Sequence, residues 1–456
     1  MDLITQYLNA LGGWIWGPAT LVLLVGTGLY FTIRLRFLQF THLPKALALA
    51  FNPRQDRSSP GSITQFQSLM TALAGTIGTG NIAGVATAVV LGGPGAVLWM
   101  WMTALAGMMT KFAEALLAVR FRVDDGQGGT RGGPMYYIER GLGMKWLAML
   151  FALFGMIASL GTGCSVQTNS VAHAVQASFG VPGWATGIVL TAVTALVIVG
   201  GIRRIGQASS YIVPFMSLFY VLGGLAILSF NPEKILPAIS IIFSDAFSGD
   251  AVAGGVVGTV IRYGMARGVF SNEAGIGTAP IAAAAAKTKE PVDQALVSMT
   301  GTFIDTIVVC SITGIVLVMG GLYTDGETGA ALTTHTFESL LPGGGWIVTI
   351  GLIFFAYSTI LGWCYYGEKC AEYLLGSKVI KPYRLIYTLF CMLGTIVTLD
   401  LVWALSDVFN GLMAIPNLIG LILLSGVVIK ETKSYLLRET DKKNKYLSTD
   451  GVNTDA

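Results

Sequence analysis

Apolar residues run in long uninterrupted stretches, and polar residues gather in the short gaps between them. A helix needs about 20 apolar residues to cross the hydrocarbon core of a bilayer. Runs near 14–36, 66–90, 96–119, 147–178, 184–202, 210–230, 251–286, 295–321, 344–374, 385–402 and 408–429 predict eleven transmembrane helices. Three of them, 147–178, 251–286 and 344–374, are longer than 30 residues, so they are expected to tilt, kink or break within the membrane.

The polar gaps sort by charge. Basic residues fall in 34–65 (Arg34, Arg36, Lys45, Arg54, Arg57), in 119–146 (Arg120, Arg122, Arg131, Arg140, Lys145), and at Arg203, Arg204, Lys287, Lys289, Lys378, Lys381 and Arg384. Six more lie in the polar stretch 430–456. With eleven crossings all of these share one side, and the other side holds only Lys234 among acids such as Asp245, Asp250, Asp325, Glu327, Glu338 and Asp407. Cytoplasmic loops carry the excess of Lys and Arg. The pattern therefore predicts an inner-membrane protein with its N-terminus outside and its C-terminus, an exposed polar tail, in the cytoplasm.

Composition narrows the class. Of 456 residues, 53% are hydrophobic and 12% charged, against about 25% charged in soluble domains. The net charge of +3 is not gathered into a basic face, so no nucleic-acid partner is expected. Five cysteines and three widely spaced histidines form no metal-spaced set, which argues against a metal centre or membrane hydrolase. The first apolar run follows Asp2 rather than a basic stretch and reads as a retained helix, not a signal peptide.

The chain also repeats itself. Thr79-Gly-Asn-Ile-Ala-Gly-Val-Ala-Thr-Ala88 in the second span matches Phe270-Ser-Asn-Glu-Ala-Gly-Ile-Gly-Thr-Ala279 in the seventh at a constant offset of 191 residues. Asn81/Asn272, Ala83/Ala274, Gly84/Gly275, Thr87/Thr278 and Ala88/Ala279 are identical. Each repeat holds five helices, within 66–230 and 251–429, so the two halves run in opposite orientations, and the first span (with 1–65) stands outside them. The matching segments are rich in glycine, each costing about 1 kcal/mol in a helix interior relative to alanine. Paired interruptions at equivalent places in two halves point to a transporter binding site. The alternative is close helix packing through small residues. A broken helix offers free N–H groups to a carboxylate and free carbonyls to Na⁺ or an ammonium group, which suits a zwitterion.

The strings Gly75-Thr-Ile-Gly-Thr-Gly-Asn81, Leu91-Gly-Gly-Pro-Gly95, Gly132-Gly-Pro-Met-Tyr-Tyr-Ile-Glu-Arg140 and Phe270-Ser-Asn-Glu-Ala-Gly275 together resemble the alanine or glycine:cation symporter family over residues 10–430. The resemblance implies an all-α membrane fold of the leucine-transporter type, five plus five inverted helices with one extra N-terminal helix. It implies uptake of alanine or glycine coupled to Na⁺, or to H⁺ in some members, with no cofactor. It implies that Gly78, Thr79, Gly80 and Asn81 of the first break, and Val269, Phe270, Ser271 and Asn272 of the second, meet the substrate backbone. Gln167 resembles the position that bonds the carboxylate, and Phe270 and Trp363 the aromatic walls that admit only a small side chain. For Na⁺ it points to the carbonyls of Ala74 and Ile77 with the hydroxyls of Ser358 and Thr359.

Charged residues inside spans are functional candidates. Lys111/Glu114 and Glu368/Lys369 sit near span ends, where snorkelling suffices. Arg262, Arg267, Glu273 and Asp305 sit deeper and are expected to form gating ion pairs on the cytoplasmic side of the site, with cation or proton binding as an alternative for Asp305. The rival to a carrier is a channel, which needs a continuous polar stripe or ring motif that the sequence lacks.

Overall fold

The computed structural model describes residues 2–52, 58–126, 128–247, 257–396 and 399–450. Arg54, Arg57, Asp250 and residues 251–256 at the start of the seventh predicted span lie outside the described residues. Helices α1 (Asp2–Ile15) and α2 (Pro18–Arg34) meet at a bend of 41°. Short helices α3 (Leu38–Thr41) and α4 (Leu43–Ala50) follow. The second predicted span is two helices, α5 (Gln65–Thr76) and α6 (Ala83–Gly92), and the third is α7 (Ala96–Arg120). A small hairpin of β1 (Val123–Asp124) and β2 (Thr130–Arg131) leads to α8 (Pro134–Leu142), α9 (Lys145–Ala158), α10 (Val166–Phe179), α11 (Gly183–Ile198), α12 (Gly201–Phe230) and α13 (Pro232–Ala246). The seventh span is again two helices, α14 (Val257–Asn272) and α15 (Ala279–Ala284). Then come α16 (Pro291–Thr302), α17 (Ser311–Gly320), α18 (Gly329–Leu340), α19 (Gly344–Leu375), α20 (Ile380–Gly394), α21 (Leu399–Leu423) and α22 (Ser425–Asp450). Two π-helical segments, Ser159–Ser165 and Phe303–Cys310, join α9 to α10 and α16 to α17.

Local sequence sets many of these starts. Thr64 and Gln67 cap each other's backbone N–H at 3.1 Å to open α5. Pro18, Pro232, Pro280 and Pro291 stand in the first turn of their helices, where a missing N–H costs nothing. Of the three longest apolar runs, 251–286 breaks and 147–178 passes through a π segment, whereas 344–374 forms one unbroken helix, α19. Arg203 and Arg204 lie in the first turn of α12 rather than in a loop.

Six helices among the described residues are long and apolar enough to cross a membrane, and a seventh if the bent α1–α2 pair counts as one. They pack in two groups. α7 lies against α14 and α16 in one; α12, α9 and α10 lie against α19 in the other; α5 touches both. Gly28 lets α2 cross α7 closely, since an added Cβ would fall 2.4 Å from the Ala106 carbonyl oxygen. Two apolar cores run through the bundle and draw on helices of both groups, one around Phe112, Tyr137, Phe151 and Trp363, the other around Tyr220, Phe337 and Phe355.

The basic loops converge at one end of the bundle. There Arg122 donates to the carbonyls of Ala286 and Thr288 at 2.8 Å. Arg131 pairs with Glu372 at 2.6 Å, and Arg384 with Glu368 at 2.6 Å. The polar C-terminal stretch is not an exposed tail over its first turns: α22 is docked at this basic end. Tyr435 is 5% exposed, and Lys45–Glu439 (2.6 Å), Arg120–Glu431 (3.0 Å) and Arg438–Glu290 (3.0 Å) tie the helix down. The ends of the two broken helices nearest the basic loops are stitched together as well. Ser62 N–H donates to Ala285 O at 2.8 Å and Lys287 N–H to Ile63 O at 2.7 Å.

Candidate functional site

The first break begins where α5 runs out of helical geometry at Ile77. Gly78 is extended, Thr79–Asn81 makes one 3₁₀ turn, and α6 resumes at Ala83. Asn81 holds the turn, because its Oδ1 accepts Gly78 N–H at 2.9 Å. The second break follows Asn272, whose Oδ1 accepts Ala274 N–H at 3.0 Å. Glu273 (φ +54°), Gly275 (+88°) and Gly277 (+93°) take left-handed backbone there, a conformation glycine adopts without a Cβ penalty.

Between the breaks lies a small, tightly closed cavity. Gly78, Thr79, Gly80, Gln167, Phe270 and Trp363 line it, as the family resemblance implies. Asn81, Ser271 and Asn272 do not. They turn away toward the π segment between α16 and α17, and Val269 packs into the apolar core. Thr162 and Asn410 line the cavity without having stood out in the sequence. Three buried polar atoms in its wall have no hydrogen-bond partner: Thr162 Oγ1, Gln167 Oε1 and Asn410 Oδ1. Such atoms carry a desolvation cost of about 1–3 kcal/mol each unless something bonds to them. Gln167 also donates from Nε2 to Thr162 O at 3.1 Å, so as placed its free atom is an acceptor, matched to an ammonium group rather than a carboxylate.

The aromatic walls are held differently. Trp363 is 1% exposed, and its Nε1 donates to Gly75 O at 3.1 Å and to Glu273 Oε1 at 2.9 Å. Gly163 permits this placement, since an added Cβ would fall 2.2 Å from the Trp363 Cβ. Phe270 stands against Trp403 at 5.6 Å, with the Arg267 guanidinium 5.8 Å over its ring.

Ala74 O, Ile77 O, Ser358 Oγ and Thr359 Oγ1 come together beside the first break. Ser358 reaches Ala74 O at 3.4 Å and Thr359 reaches Ile77 O at 3.2 Å, while both also donate to Phe355 O at 2.9 Å. The set is four neutral oxygens from two helices, the ligand type hard cations take.

Asp305 is fully buried on the π segment Phe303–Cys310. Its carboxylate accepts from Asn81 Nδ2 at 2.6 Å, Thr306 Oγ1 at 2.7 Å and Ser271 Oγ at 3.0 Å. π segments of this kind recur at functional sites. The expected gating pairs are not formed. Among the described residues no ion pair joins Arg262 or Arg267 to Glu273 or Asp305. Both arginines instead line a second cavity with Trp16 and Asp407, on the side of the break away from the basic end. Glu273 bonds Trp363 and Thr278. Snorkelling is also wrong for the charges on α7: Lys111 is 3% exposed and Glu114 is fully buried, because α2, α14 and α16 close over that face. Glu368 is likewise buried, against Arg384.

Access to the cavity is one-sided. A vestibule bordered by Thr79, His173, His335 and Trp403 rises toward the end opposite the basic loops. Toward the basic end the way is shut by Trp363, Glu273 and the paired ends of α5 and α15.

Two interrupted helices face each other across a small cavity in a helical bundle with apolar spans of membrane length, and family and relatives alike make the chain a transporter rather than an enzyme. Solved structures agree on the fold. MhsT in complex with L-phenylalanine superposes with a TM-score of 0.57 at 13% identity, covering 81% of this chain and 98% of that one. A manganese transporter of Eremococcus coleocola with a bound bis-isothiourea compound gives 0.52 at 14%, covering 78% and 79%. The chain belongs to the Sodium:alanine symporter family, whose profile matches residues 1–449. It is 58% identical to the sodium/alanine symporter AgcS of Methanococcus maripaludis over 97% of this chain and 100% of that protein. It is 54% identical to an uncharacterized transporter of Haemophilus influenzae, over 95% and 97%. It is 38% identical to the probable sodium/glutamine symporter GlnT of Bacillus subtilis, over 92% and 88%.

Proposed function

We propose that this protein carries a small neutral amino acid, alanine or glycine, into the cell together with Na⁺ by alternating access. The observation that carries the reading is the closed cavity between the two breaks, with its three unpartnered polar atoms and its walls of Phe270 and Trp363. In this reading Phe270 and Trp363 hold the side chain to a hydrogen or a methyl group. The broken backbone at Gly78–Gly80 receives one charged end of the zwitterion, and Gln167, Thr162 and Asn410 receive the other. The name of the archaeal relative, a sodium/alanine symporter, supports alanine as substrate and Na⁺ as coupling ion.

Na⁺ binds in this reading among Ala74 O, Ile77 O, Ser358 Oγ and Thr359 Oγ1, and Asp305 with Ser271 and Thr306 forms a second cation position. The chain crosses the membrane eleven times with its N-terminus outside and its basic end in the cytoplasm. The vestibule at Thr79 then opens outward, and the latch of Trp363 on Glu273 and Gly75 closes the inside. A tenfold Na⁺ gradient stores about 1.4 kcal/mol and 100 mV adds about 2.3 kcal/mol per charge, so one ion supports several-hundred-fold accumulation.

The test is uptake of labelled alanine by purified protein in proteoliposomes at fixed pH, with and without an inward Na⁺ gradient. Accumulation that needs Na⁺ and is competed by glycine supports the reading. Uptake driven by a pH gradient and indifferent to Na⁺ replaces the ion and leaves the site.

A further inference from the structure

α21 carries Trp403, Asn410 and Asn417 at a spacing of seven residues. Seven residues make close to two helical turns, so the three side chains share one face, about 10 Å apart along the axis. Each meets a different level of the transport path. Trp403 borders the vestibule and stands 5.6 Å from the ring of Phe270. Asn410 lines the cavity, where its buried Oδ1 has no partner among the described residues. Asn417 lies at the second break. Its Nδ2 donates to Gly275 O at 2.9 Å and to Glu114 Oε1 at 2.6 Å, and its Oδ1 accepts from the Tyr137 hydroxyl. The break is shaped around this amide: a Cβ added at Gly277 would stand 3.0 Å from the Asn417 Cγ.

The two bonds from Asn417 Nδ2 cross between packed groups. α21 lies on α9, α1 and the π segment Ser159–Ser165, whereas Glu114 belongs to α7 and Gly275 to the break between α14 and α15. One helix therefore holds a satisfied amide at the gate and an unsatisfied one in the cavity. A buried acceptor is costly until something bonds to it. A ligand shifts a conformational equilibrium only through contacts that differ between the two states.

We propose that α21 reports the filling of the cavity to the inner gate, with Asn417 as the positioning residue at its gate end. In the empty carrier Asn417 holds the second break in its left-handed course and keeps the basic end shut. When the ammonium group of the substrate bonds Asn410 Oδ1, α21 is drawn toward the cavity. Asn417 then loses its alignment with Gly275 O and Glu114, and the break is released. Trp403 moves on the same helix toward Phe270, so the outer side narrows as the inner side loosens. The idea rests on the reading of the cavity as the substrate site of an alternating-access carrier.

Ser68→Cys supplies the reporter. Ser68 is buried on α5, where its hydroxyl donates to Ala282 O of α15 at 3.0 Å, on the gate side of the cavity and clear of bound substrate. Its alkylation from the basic end would be followed in saturating Na⁺, without alanine and with alanine at a concentration that saturates each variant. In otherwise unaltered protein alanine is expected to raise the rate by about fivefold. With Asn417→Ala the rate should be high without alanine and gain less than about twofold from it; with Asn410→Ala it should stay low in both conditions. A merely structural loss moves the rate and leaves its response to alanine. Should Asn417→Ala not yield monodisperse protein, Asn410→Ala decides alone, since its side chain faces the cavity. A normal alanine response in either variant would overturn the proposal. No response in the otherwise unaltered protein would instead refute the reading on which it rests.

Discussion

In the first break Asn81 Oδ1 accepts the Gly78 N–H, and its Nδ2 reaches Asp305. In the second, Asn272 Oδ1 accepts the Ala274 N–H, and its Nδ2 reaches Thr306. The same residue closes both breaks and ties both to one π segment, so the internal repeat survives as a shared device. What surrounds it differs. The first break faces neutral oxygens of α19, at Ser358 and Thr359. The second carries a carboxylate, Glu273, latched to Trp363. An uncharged break suits ions and substrate that must bind and leave, and a charged, latched break suits a gate.

The largest difference between the two breaks is expected at their asparagines. Asn81→Ala removes a hydrogen bond to a buried carboxylate, worth about 1.5–3 kcal/mol, and should slow alanine uptake by roughly 10- to 100-fold. Asn272→Ala loses a long contact of 3.4 Å to a neutral hydroxyl, and should cost about tenfold or less. Initial rates normalised to monodisperse protein decide it, and equal losses would erase the distinction between the breaks. Trp363→Phe keeps the ring but leaves Gly75 O and the Glu273 carboxylate without their donor. The latch weakens by about 1–2 kcal/mol, and alkylation from the basic end of a cysteine placed at Thr76 should rise by roughly tenfold. Unchanged labelling would reduce Trp363 to a wall.

Thr359→Ala is expected to raise the Na⁺ concentration for half-maximal uptake by about fivefold, and Ser358→Ala by less, with the saturated rate little changed. Phe270→Leu, the mildest change, should shift the preference between alanine and larger amino acids by about threefold in competition assays, since pocket contacts of methylene size discriminate weakly.

Much of this was legible in the chain. The repeat at Asn81 and Asn272 marks both breaks, because glycine clusters within an apolar run leave a helix no reason to continue. The alternation of basic gaps matches the end at which Arg122, Arg131, Arg384 and α22 meet. The side of Arg262 and Arg267 was legible too, against the expectation of cytoplasmic pairs. They precede the break in a span that runs from the acidic side to the basic one, so they lie on the far side of the cavity. Thr162 and Asn410 were not legible. Each is a lone polar residue in an apolar stretch, and Thr162 reaches the cavity from a π segment that periodicity does not reveal. The burial of Lys111 was hidden for a related reason. Its place in the chain, nine residues from the end of α7, says nothing of the packing of α2, α14 and α16 that buries it.

Coupling between ion and substrate is the center of the account, and equilibrium binding tests it without a membrane gradient. Binding of labelled alanine to purified protein would be measured at one pH, with Na⁺ replaced stepwise by K⁺ at constant ionic strength. The expected result is an affinity that rises saturably with Na⁺ and, by reciprocity, a Na⁺ affinity that rises by the same factor when alanine is present. An alanine affinity identical in Na⁺ and K⁺ would contradict it.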